Sequence, residues 1–342
     1  DVSLHGERVP GAFTYALVKG LFIASPSSML VEEAIRSMNA GGSIQDDGEF
    51  RAVRETAGRY VHANLYINFG KLDQLFVPCT QSKHRDALEA LNEWASWSEL
   101  DADFKEDALV FNGMTAAGDS VPTWLGLFAD QDPVRVETPA FMPSGTAWFI
   151  SVGVSDRERF SDTYEAFLRR KDMLSRFTKE DERLTALYGA SPFGDIMDMM
   201  DDELAWFVVD NNQGGTADEL VMIECRSGSE AREKLTGWIG HYAAQTGAAV
   251  SEFVSPYVLD DQTRFPVYRL QESFYEGFEA GKVFKPYFVL YDNYLYFGSS
   301  KRALSQVIYQ NVLHKTLVNE TGFSDMNDYL SSKSNVTLFL RP

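Results

Sequence analysis

Cysteine is scarce in this sequence: Cys79 and Cys225 are the only two in 342 residues. Two cysteines exclude a disulfide-dense scaffold and a cysteine-rich zinc site. Cys225 ends the apolar run Leu220 to Cys225, a pattern that predicts a buried thiol in a strand. A disulfide between Cys79 and Cys225, closing a very long loop, is the alternative.

Long hydrophobic runs are also lacking. The longest, such as Ala147 to Val154, have the length of a strand, whereas a membrane-spanning helix needs roughly 20 apolar residues. We therefore expect no membrane span in this chain. The sequence opens at Asp1 without a charged segment followed by an apolar one, so we expect any signal peptide or lipid anchor to lie upstream of Asp1.

Positively charged residues are also few compared with negatively charged ones. Thirty-one Lys and Arg against 50 Asp and Glu give a formal net charge of -19, which repels a phosphate backbone at long range. Nucleic acid is therefore not an expected partner. Hydrophobic residues at 44% and charged residues at 24% are typical of folded proteins, and the length suits about two domains.

Recognisable catalytic motifs are missing as well. Ser120 follows Gly118 but lacks the Gly-x-Ser-x-Gly pattern of a nucleophile elbow. The five histidines form no pair at helical spacing with a glutamate between them, and no glycine-rich phosphate loop follows a strand. The sequence therefore predicts no cofactor and favours a protein that is not an enzyme.

What the sequence does contain is an internal repeat. Tyr15 to Ser25 matches Phe288 to Gly298 in residue class, with turn-forming residues between two strand-like runs in each. The offset of 273 positions persists until Phe50 falls on Phe323. After a shift of two, Ala63 to Phe69 falls on Ser334 to Leu340. The alternative interpretation is a pair of unrelated segments, each a hairpin followed by a helix.

The repeat predicts a duplicated unit of hairpin, helix and strand. Residues 1–97 are interpreted as the C-terminal part of a first unit, with a hairpin at 13–24, a helix at 26–39, a strand at 59–69 and a helix at 84–97. Residues 98–342 are interpreted as a second unit that ends in a hairpin at 286–298, a helix at 300–313 and a strand at 334–340. Turn-rich links between neighbouring strands predict an α+β fold with mainly antiparallel sheets covered by amphipathic helices.

Serine residues mark several predicted helix starts. Ser25 precedes Pro26 and is expected to cap the first helix, since proline suits the first helical position. Ser155 and Ser227 each stand three residues before a glutamate, the spacing of a capping box. We expect both to open helices that directly follow strands.

Two groups of residues are candidate binding sites. Asp195, Asp198 and Asp202 would share one face if the segment is helical, the arrangement that a hard cation such as calcium would need. The regular calcium-loop spacing is missing, so a solvated helix turn is the preferred interpretation and no metal is predicted. The second group consists of aromatic residues interspersed with glycine and acidic residues, which would form a binding lip for a glycan, peptide or lipid tail if the rings are exposed. Its members are Phe274, Tyr275, Phe278 and Phe284. Burial of these rings against the adjacent helix is the more common arrangement.

Four segments together carry a family resemblance. They are Ser25 to Ile35, Ala63 to Asn68, Trp97 to Leu109 with Asn112 to Thr115 behind it, and Tyr294 to Ser300. The chain resembles an uncharacterised family of exported cell-envelope proteins of Bacteroidetes. That resemblance implies an export signal or lipid-attachment site upstream and a location in the periplasm or at the outer membrane. It implies no activity, cofactor or catalytic residue.

Three functional hypotheses follow. The first is a non-enzymatic, extracytoplasmic binding or scaffolding module, whose partner is an unidentified envelope protein or a small ligand. The second is a carrier or sensor that holds an apolar or glycan ligand between sheet and helices. The third is a hydrolase whose acid pair comes from residues distant in sequence.

Overall fold

The computed structural model describes residues 13–76, 90–105, 109–118, 123–210, 217–270 and 286–341. The chain divides into Asp1–Val121 and Pro122–Pro342, called unit 1 and unit 2 below. The sequence instead suggested a division between residues 97 and 98. The strand that begins at Trp97 pairs with the strand that ends at Asn68, and this pairing keeps both strands in unit 1.

The described part of unit 1 contains a hairpin, two helices, a three-stranded sheet and one further short helix. In the described residues its elements are β1 (Thr14–Val18), β2 (Leu21–Ser25), α1 (Ser28–Ala40), α2 (Gly48–Thr56), β3 (Ala63–Asn68), α3 (Leu72–Phe76), β4 (Trp97–Phe104) and β5 (Leu109–Ala116). Strands β1 and β2 form one antiparallel sheet, and β3, β4 and β5 form another in that order.

Unit 2 is built around one antiparallel sheet of eight strands in the order β10, β11, β12, β13, β9, β8, β7, β15. Its described elements are β6 (Val134–Arg135), β7 (Thr146–Gly153), α4 (Arg157–Arg170), α5 (Leu174–Tyr188), α6 (Pro192–Met199), β8 (Met200–Val209), β9 (Asp218–Cys225), α7 (Gly228–Thr246), β10 (Val254–Val258), β11 (Arg264–Arg269), β12 (Tyr287–Tyr291), β13 (Tyr294–Gly298), α8 (Lys301–Val312), α9 (Thr321–Asn327), β14 (Lys333–Ser334) and β15 (Val336–Leu340).

Helices cover both faces of the large sheet, because its central strands are apolar on both sides. One core joins the sheet to α4, α5, α6 and α7. The other joins the opposite face to α8 and α9. Alternate residues of β9 enter different cores: Ile223 enters the first and Met222 the second. The predicted α+β class, with mainly antiparallel sheets covered by amphipathic helices, is confirmed.

The described elements repeat along the chain at one offset. The starts of β1, β2, α1, α2 and β3 each fall 273 positions before the starts of β12, β13, α8, α9 and β15. Backbone geometry repeats as well, since Lys19 and Asp292 both have left-handed φ angles, of 50° and 54°, in the hairpin turns. The shift of two expected before the closing strand is wrong, because Ala63 corresponds to Val336 without any shift.

Several predicted boundaries also differ from the structure. The helix predicted at 84–97 lies partly outside the described residues, and Trp97 belongs to β4. Ser25 is the last residue of β2, so α1 begins later than expected, after Ser27. Helix α4 is capped by Asp156 instead of Ser155, because the Asp156 carboxylate accepts the hydrogen bond of the Arg159 amide.

Other expectations about local structure hold. Ser227 caps α7 as predicted, since its hydroxyl accepts a hydrogen bond from the Glu230 amide. Cys225 is a buried, free thiol in β9, as the apolar run indicated, whereas Cys79 lies outside the described residues. No helix in the described part of the chain has both the length and the apolar character that crossing a membrane requires.

Candidate functional site

An apolar face of the first hairpin is exposed to solvent. We call it the open face and define it by Tyr15, Leu17, Phe22 and Ala24, all of which are exposed. Successive strand residues point to opposite faces, and Ala16, between Tyr15 and Leu17, is buried. Leu21, on the same face as Ala16, is 57% exposed. The hairpin therefore has one partly covered face and one uncovered face, and both carry apolar side chains.

The same positions are buried in unit 2. The four counterparts of the open face, 273 positions later, are Phe288, Leu290, Leu295 and Phe297. Phe22 is 66% exposed and Leu295 is fully buried; Leu17 is 74% exposed and Leu290 is 6% exposed. The strand register is also the same, since Leu17 pairs with Phe22 and Leu290 pairs with Leu295. The two hairpins differ in what surrounds them: β12 and β13 lie inside the eight-stranded sheet under a covering layer, whereas β1 and β2 form a two-stranded sheet in the described part of the chain.

Helix α7 is part of that covering layer in unit 2. Leu235, Trp238 and Ile239 on α7 are almost completely buried and belong to the same core as Phe288 and Leu295. They recur at helical spacing, which gives α7 one continuous apolar stripe. In the described part of unit 1, no corresponding helix covers the open face.

A second notable feature is a row of polar side chains across three strands of unit 2. Glu203 on β8, Glu224 on β9 and Tyr294 on β13 belong to adjacent strands near one end of the large sheet. Glu224 and Tyr294 are paired in register, and the Tyr294 hydroxyl donates to the Glu224 carboxylate at 3.2 Å. The ring of Phe141 stacks on Tyr294 with 3.8 Å between ring centroids.

Glu203 is buried and its hydrogen bonds have a structural role. Its Oε2 accepts from the backbone amides of Glu137 at 2.6 Å and Thr138 at 2.9 Å, and its Oε1 accepts from the Ser151 hydroxyl at 2.9 Å. Burial raises the pKa of Glu203, and these donors oppose that rise. Both oxygens are thus engaged, and the carboxylate ties the 137–138 segment to the sheet.

Glu224 is the member of the row that titrates near neutrality. Burial raises its pKa to about 7, and the negative charges of Glu203 and Asp201 add to the rise. The hydrogen bond from Tyr294 acts in the opposite direction. Sequence analysis did not single out Glu224, although one acidic residue inside the apolar run of β9 is a recognisable signal.

The raised pKa of Glu224 makes stability depend on pH. Its pKa in the folded protein, about 7, exceeds the ordinary value of 4.5, so the folded state binds this proton more tightly than the unfolded state does. The free energy of unfolding of unit 2 is therefore expected to fall by about 1–3 kcal/mol as the pH rises from about 4.5 through 7. Urea unfolding across this range measures the change.

Glu224→Gln removes the titrating group. In this variant the free energy of unfolding of unit 2 is expected to depend less on pH across the same range. Glu219→Gln, on the opposite face of β9, is the matched control. Its free energy of unfolding should fall with pH as steeply as that of the unmodified protein. A slope that is equal in the two variants would mean that another group causes the pH dependence.

The predicted acidic cluster is divided between two elements. Asp195 and Asp198 lie on α6, whereas α6 ends at Met199 and Asp202 lies on β8, so the three do not share a helical face. Asp195 accepts a hydrogen bond from the Trp238 indole at 2.8 Å and pairs with the Lys234 ammonium, which also contacts Asp198. Among the residues that the structure describes, no group of three potential ligands is arranged to hold a metal ion.

A shallow groove runs beside this ion pair. Its volume is about 280 Å³, and its lining includes Tyr188, Asp195, Lys234, Trp238 and His241. Ligand pockets usually enclose about 300–1,000 Å³, so this groove lies just below the usual range of volumes. The aromatic lip of Phe274, Tyr275, Phe278 and Phe284 lies outside the described residues.

The open face could not be recognised from the sequence, because an apolar residue in a hairpin looks the same whether or not another layer covers it. The available signal was the match of Tyr15, Leu17 and Phe22 with three apolar residues of the second copy. Comparison of the chain with protein-family models, curated proteins and solved structures finds no match.

Proposed function

We propose that this protein is a non-enzymatic binding or scaffolding module of the cell envelope and that the open face is its partner surface. One observation carries the proposal: Tyr15, Leu17 and Phe22 are exposed, whereas their counterparts in unit 2 are core residues. Contiguous apolar surface of this kind marks interaction sites in soluble proteins. The extracytoplasmic location rests on the family resemblance alone.

The open face has enough apolar surface to support binding. Complete burial of a leucine or phenylalanine side chain contributes about 1.5–3 kcal/mol. Burial of Tyr15, Leu17 and Phe22 together would therefore contribute several kcal/mol of binding free energy, from which the entropic cost of association must be subtracted. Tyr15 and Phe22 are also in ring contact, with 5.9 Å between centroids, so the two rings form one continuous apolar surface.

A carrier or sensor of a small ligand is the second candidate, and the groove beside Trp238 is the feature that favours it. We rank it below the binding module because Asp195 and Lys234 in the groove already satisfy each other. For the hydrolase hypothesis, Glu203 is not available as a general acid or base, since both of its oxygens accept structural hydrogen bonds.

Site-specific cross-linking in the native host tests the proposal. A photoreactive phenylalanine analogue at position 17 should give a discrete cross-linked product, and Phe22→Asp in the same chain should abolish it. The same analogue at Leu338, a 63% exposed residue of β15, is the matched control and should give no such product.

Two results would overturn the proposal. One is a set of cross-links that is the same at positions 17 and 338 or is insensitive to Phe22→Asp. The other is a stoichiometric small molecule, seen by native mass spectrometry, that the Phe22→Asp variant retains. The second result would favour the carrier.

A further inference from the structure

We propose that the three-stranded sheet of unit 1 carries a binding site for a hard divalent cation such as Ca²⁺, formed by the carboxylates of Glu99 and Asp101 on β4. The side-chain oxygen of Asn64 and the carbonyl oxygen of Gly58 would complete the protein ligands. This inference goes beyond the proposed function, since it concerns other elements of unit 1 and does not depend on the open face.

Glu99 is a buried carboxylate with an unsatisfied oxygen. The residue is fully buried, and within the described part of the chain its Oε2 accepts no hydrogen bond. Its Oε1 has a donor in Asn64 Nδ2, at the long distance of 3.4 Å. Removing a carboxylate from water without replacing its hydrogen bonds is costly, so this oxygen calls for a positively charged ligand.

The corresponding position in unit 2 is apolar. Tyr66 pairs with Glu99, whereas its counterpart Phe339, 273 positions later, pairs with Phe149. Phe149 is 1% exposed and belongs to the core that joins the large sheet to α8 and α9. The fold thus accepts a phenylalanine at this position, and packing does not require the carboxylate of Glu99. A polar group that replaces a core residue at such a cost is characteristic of a functional site.

Asp101 brings a second carboxylate to the same place. Successive residues of a strand alternate between its faces, so Glu99 and Asp101 lie on one face of β4. The Asn64 amide lies between the two carboxylates, with its Nδ2 2.6 Å from Asp101 Oδ1. Burial raises the pKa of Glu99, and the adjacent Asp101 raises it further. Two carboxylates this close need a proton or a cation between them.

The basic side chains next to this pair are engaged elsewhere. Lys105 and His62 both contact Asp103, whose Oδ1 lies 3.0 Å from His62 Nδ1. Among the residues that the structure describes, neither Glu99 nor Asp101 forms an ion pair. The negative charge of the two carboxylates is therefore left for a ligand to neutralise.

Neutral oxygen atoms and a route of entry lie beside the two carboxylates. The Gly58 amide donates to both oxygens of Asp101 at 3.0 Å, and the Gly58 carbonyl oxygen is 3.2 Å from Asn64 Nδ2. A Cβ at Gly58 would lie 2.5 Å from Asp101 Oδ2, so only glycine lets the backbone come this close. Asn64 and Asn112 stand opposite Asp101 on the two neighbouring strands and are exposed. A cation can therefore enter from this side of the sheet.

The available ligands favour Ca²⁺. All of them are oxygen atoms, which hard cations prefer, whereas Zn²⁺ favours nitrogen and sulfur. In the described residues no three acidic, histidine or cysteine side chains are placed to hold an ion, so the other ligands must be neutral oxygens and water. Ca²⁺ takes carboxylates, amide and backbone carbonyls and water in a flexible geometry, whereas Mg²⁺ demands a near-ideal octahedron.

Isothermal titration of the chelator-treated, 342-residue protein with calcium chloride tests the site. A neutral buffer with about 0.15 M sodium chloride screens general attraction by exposed acidic residues. We expect saturable binding of one Ca²⁺ with a dissociation constant of about 10⁻⁴–10⁻³ M, the range of weak calcium modules. Magnesium chloride should bind at least tenfold more weakly.

Variants of the protein locate the site. Glu99→Gln and Asp101→Asn each remove one charged ligand and should weaken calcium binding at least tenfold. Asp103→Asn is the matched control on the same face of β4 and should leave binding unchanged, because the Asp103 carboxylate is already engaged by Lys105 and His62. Hydrogen exchange should show that calcium protects amides of residues 57–68 and 97–104 in the unmodified protein but not in Glu99→Gln.

Three results would overturn the inference. Absence of saturable binding up to about 10 mM calcium would mean that a shared proton alone compensates the two carboxylates. Calcium binding that Glu99→Gln retains in full would place the ion elsewhere. Equal losses of binding in Glu99→Gln and Asp103→Asn would mean that the negative charge of the surface, and not a built site, attracts calcium.

Discussion

Leu295→Ala is expected to lower the free energy of unfolding of unit 2 by about 2–5 kcal/mol, whereas Phe22→Ala at the matching position is expected to change that of unit 1 by less than about 1 kcal/mol. Leu295 is fully buried under the covering layer that contains α7, so truncating it leaves a cavity. Phe22 is mostly in water, and its removal leaves none.

Urea unfolding of the two variants and the unmodified protein measures this difference. Val31→Ala is a useful reference in unit 1, because Val31 is buried on the covered side of the hairpin and helix and should be costly to truncate. Equal losses for Phe22→Ala and Leu295→Ala would contradict the open face, since they would require Phe22 to be packed.

Phe50→Ala and Phe323→Ala are expected to destabilise their own units by similar amounts, about 3–5 kcal/mol each. These residues are counterparts, and both are buried in an aromatic trio. Phe50 contacts Tyr66 at 5.2 Å and Trp97 at 5.0 Å between ring centroids. Phe323 contacts Phe339 at 5.2 Å and Phe149 at 6.3 Å.

Each aromatic trio lies in the part of the fold that the two units have in common. The losses of unfolding free energy caused by Phe50→Ala and Phe323→Ala should therefore be similar. Tyr309→Ala, at a 46% exposed aromatic position of α8, is the control and should cost less than about 1 kcal/mol. A large loss at Phe323 with little loss at Phe50 would mean that unit 1 is not packed like its counterpart. Urea-dependent hydrogen exchange resolves the two units separately.

Most of the fold could be predicted from local sequence signals. The hairpins at 13–24 and 286–298 were recognisable because turn residues separate two short apolar runs, and the helix at 300–313 because its apolar residues recur at helical spacing. The repeat was visible because both copies keep the same residue classes at the same offset. These signals depend on residues that are close together along the chain.

The remaining features depend on long-range contacts. The end of the first unit could not be located, because β4 is held in unit 1 by pairing with β3 across a long intervening segment. The separation of Asp202 from Asp195 and Asp198 also depends on such contacts, because pairing within the sheet places Asp202 in β8. The exposure of Phe22 depends on a layer that is present in unit 2 and has no counterpart in the described residues of unit 1.

Hydrogen–deuterium exchange of the unmodified protein tests the open face most directly. It compares the hairpin Thr14–Ser25 with its counterpart Tyr287–Gly298, which have the same turn geometry and register. If unit 1 lacks the covering layer, the amides of the first hairpin should exchange at least about a hundredfold faster, through local opening. Equal and strong protection of the two hairpins would mean that the first is covered as well, and would contradict a free binding surface on unit 1.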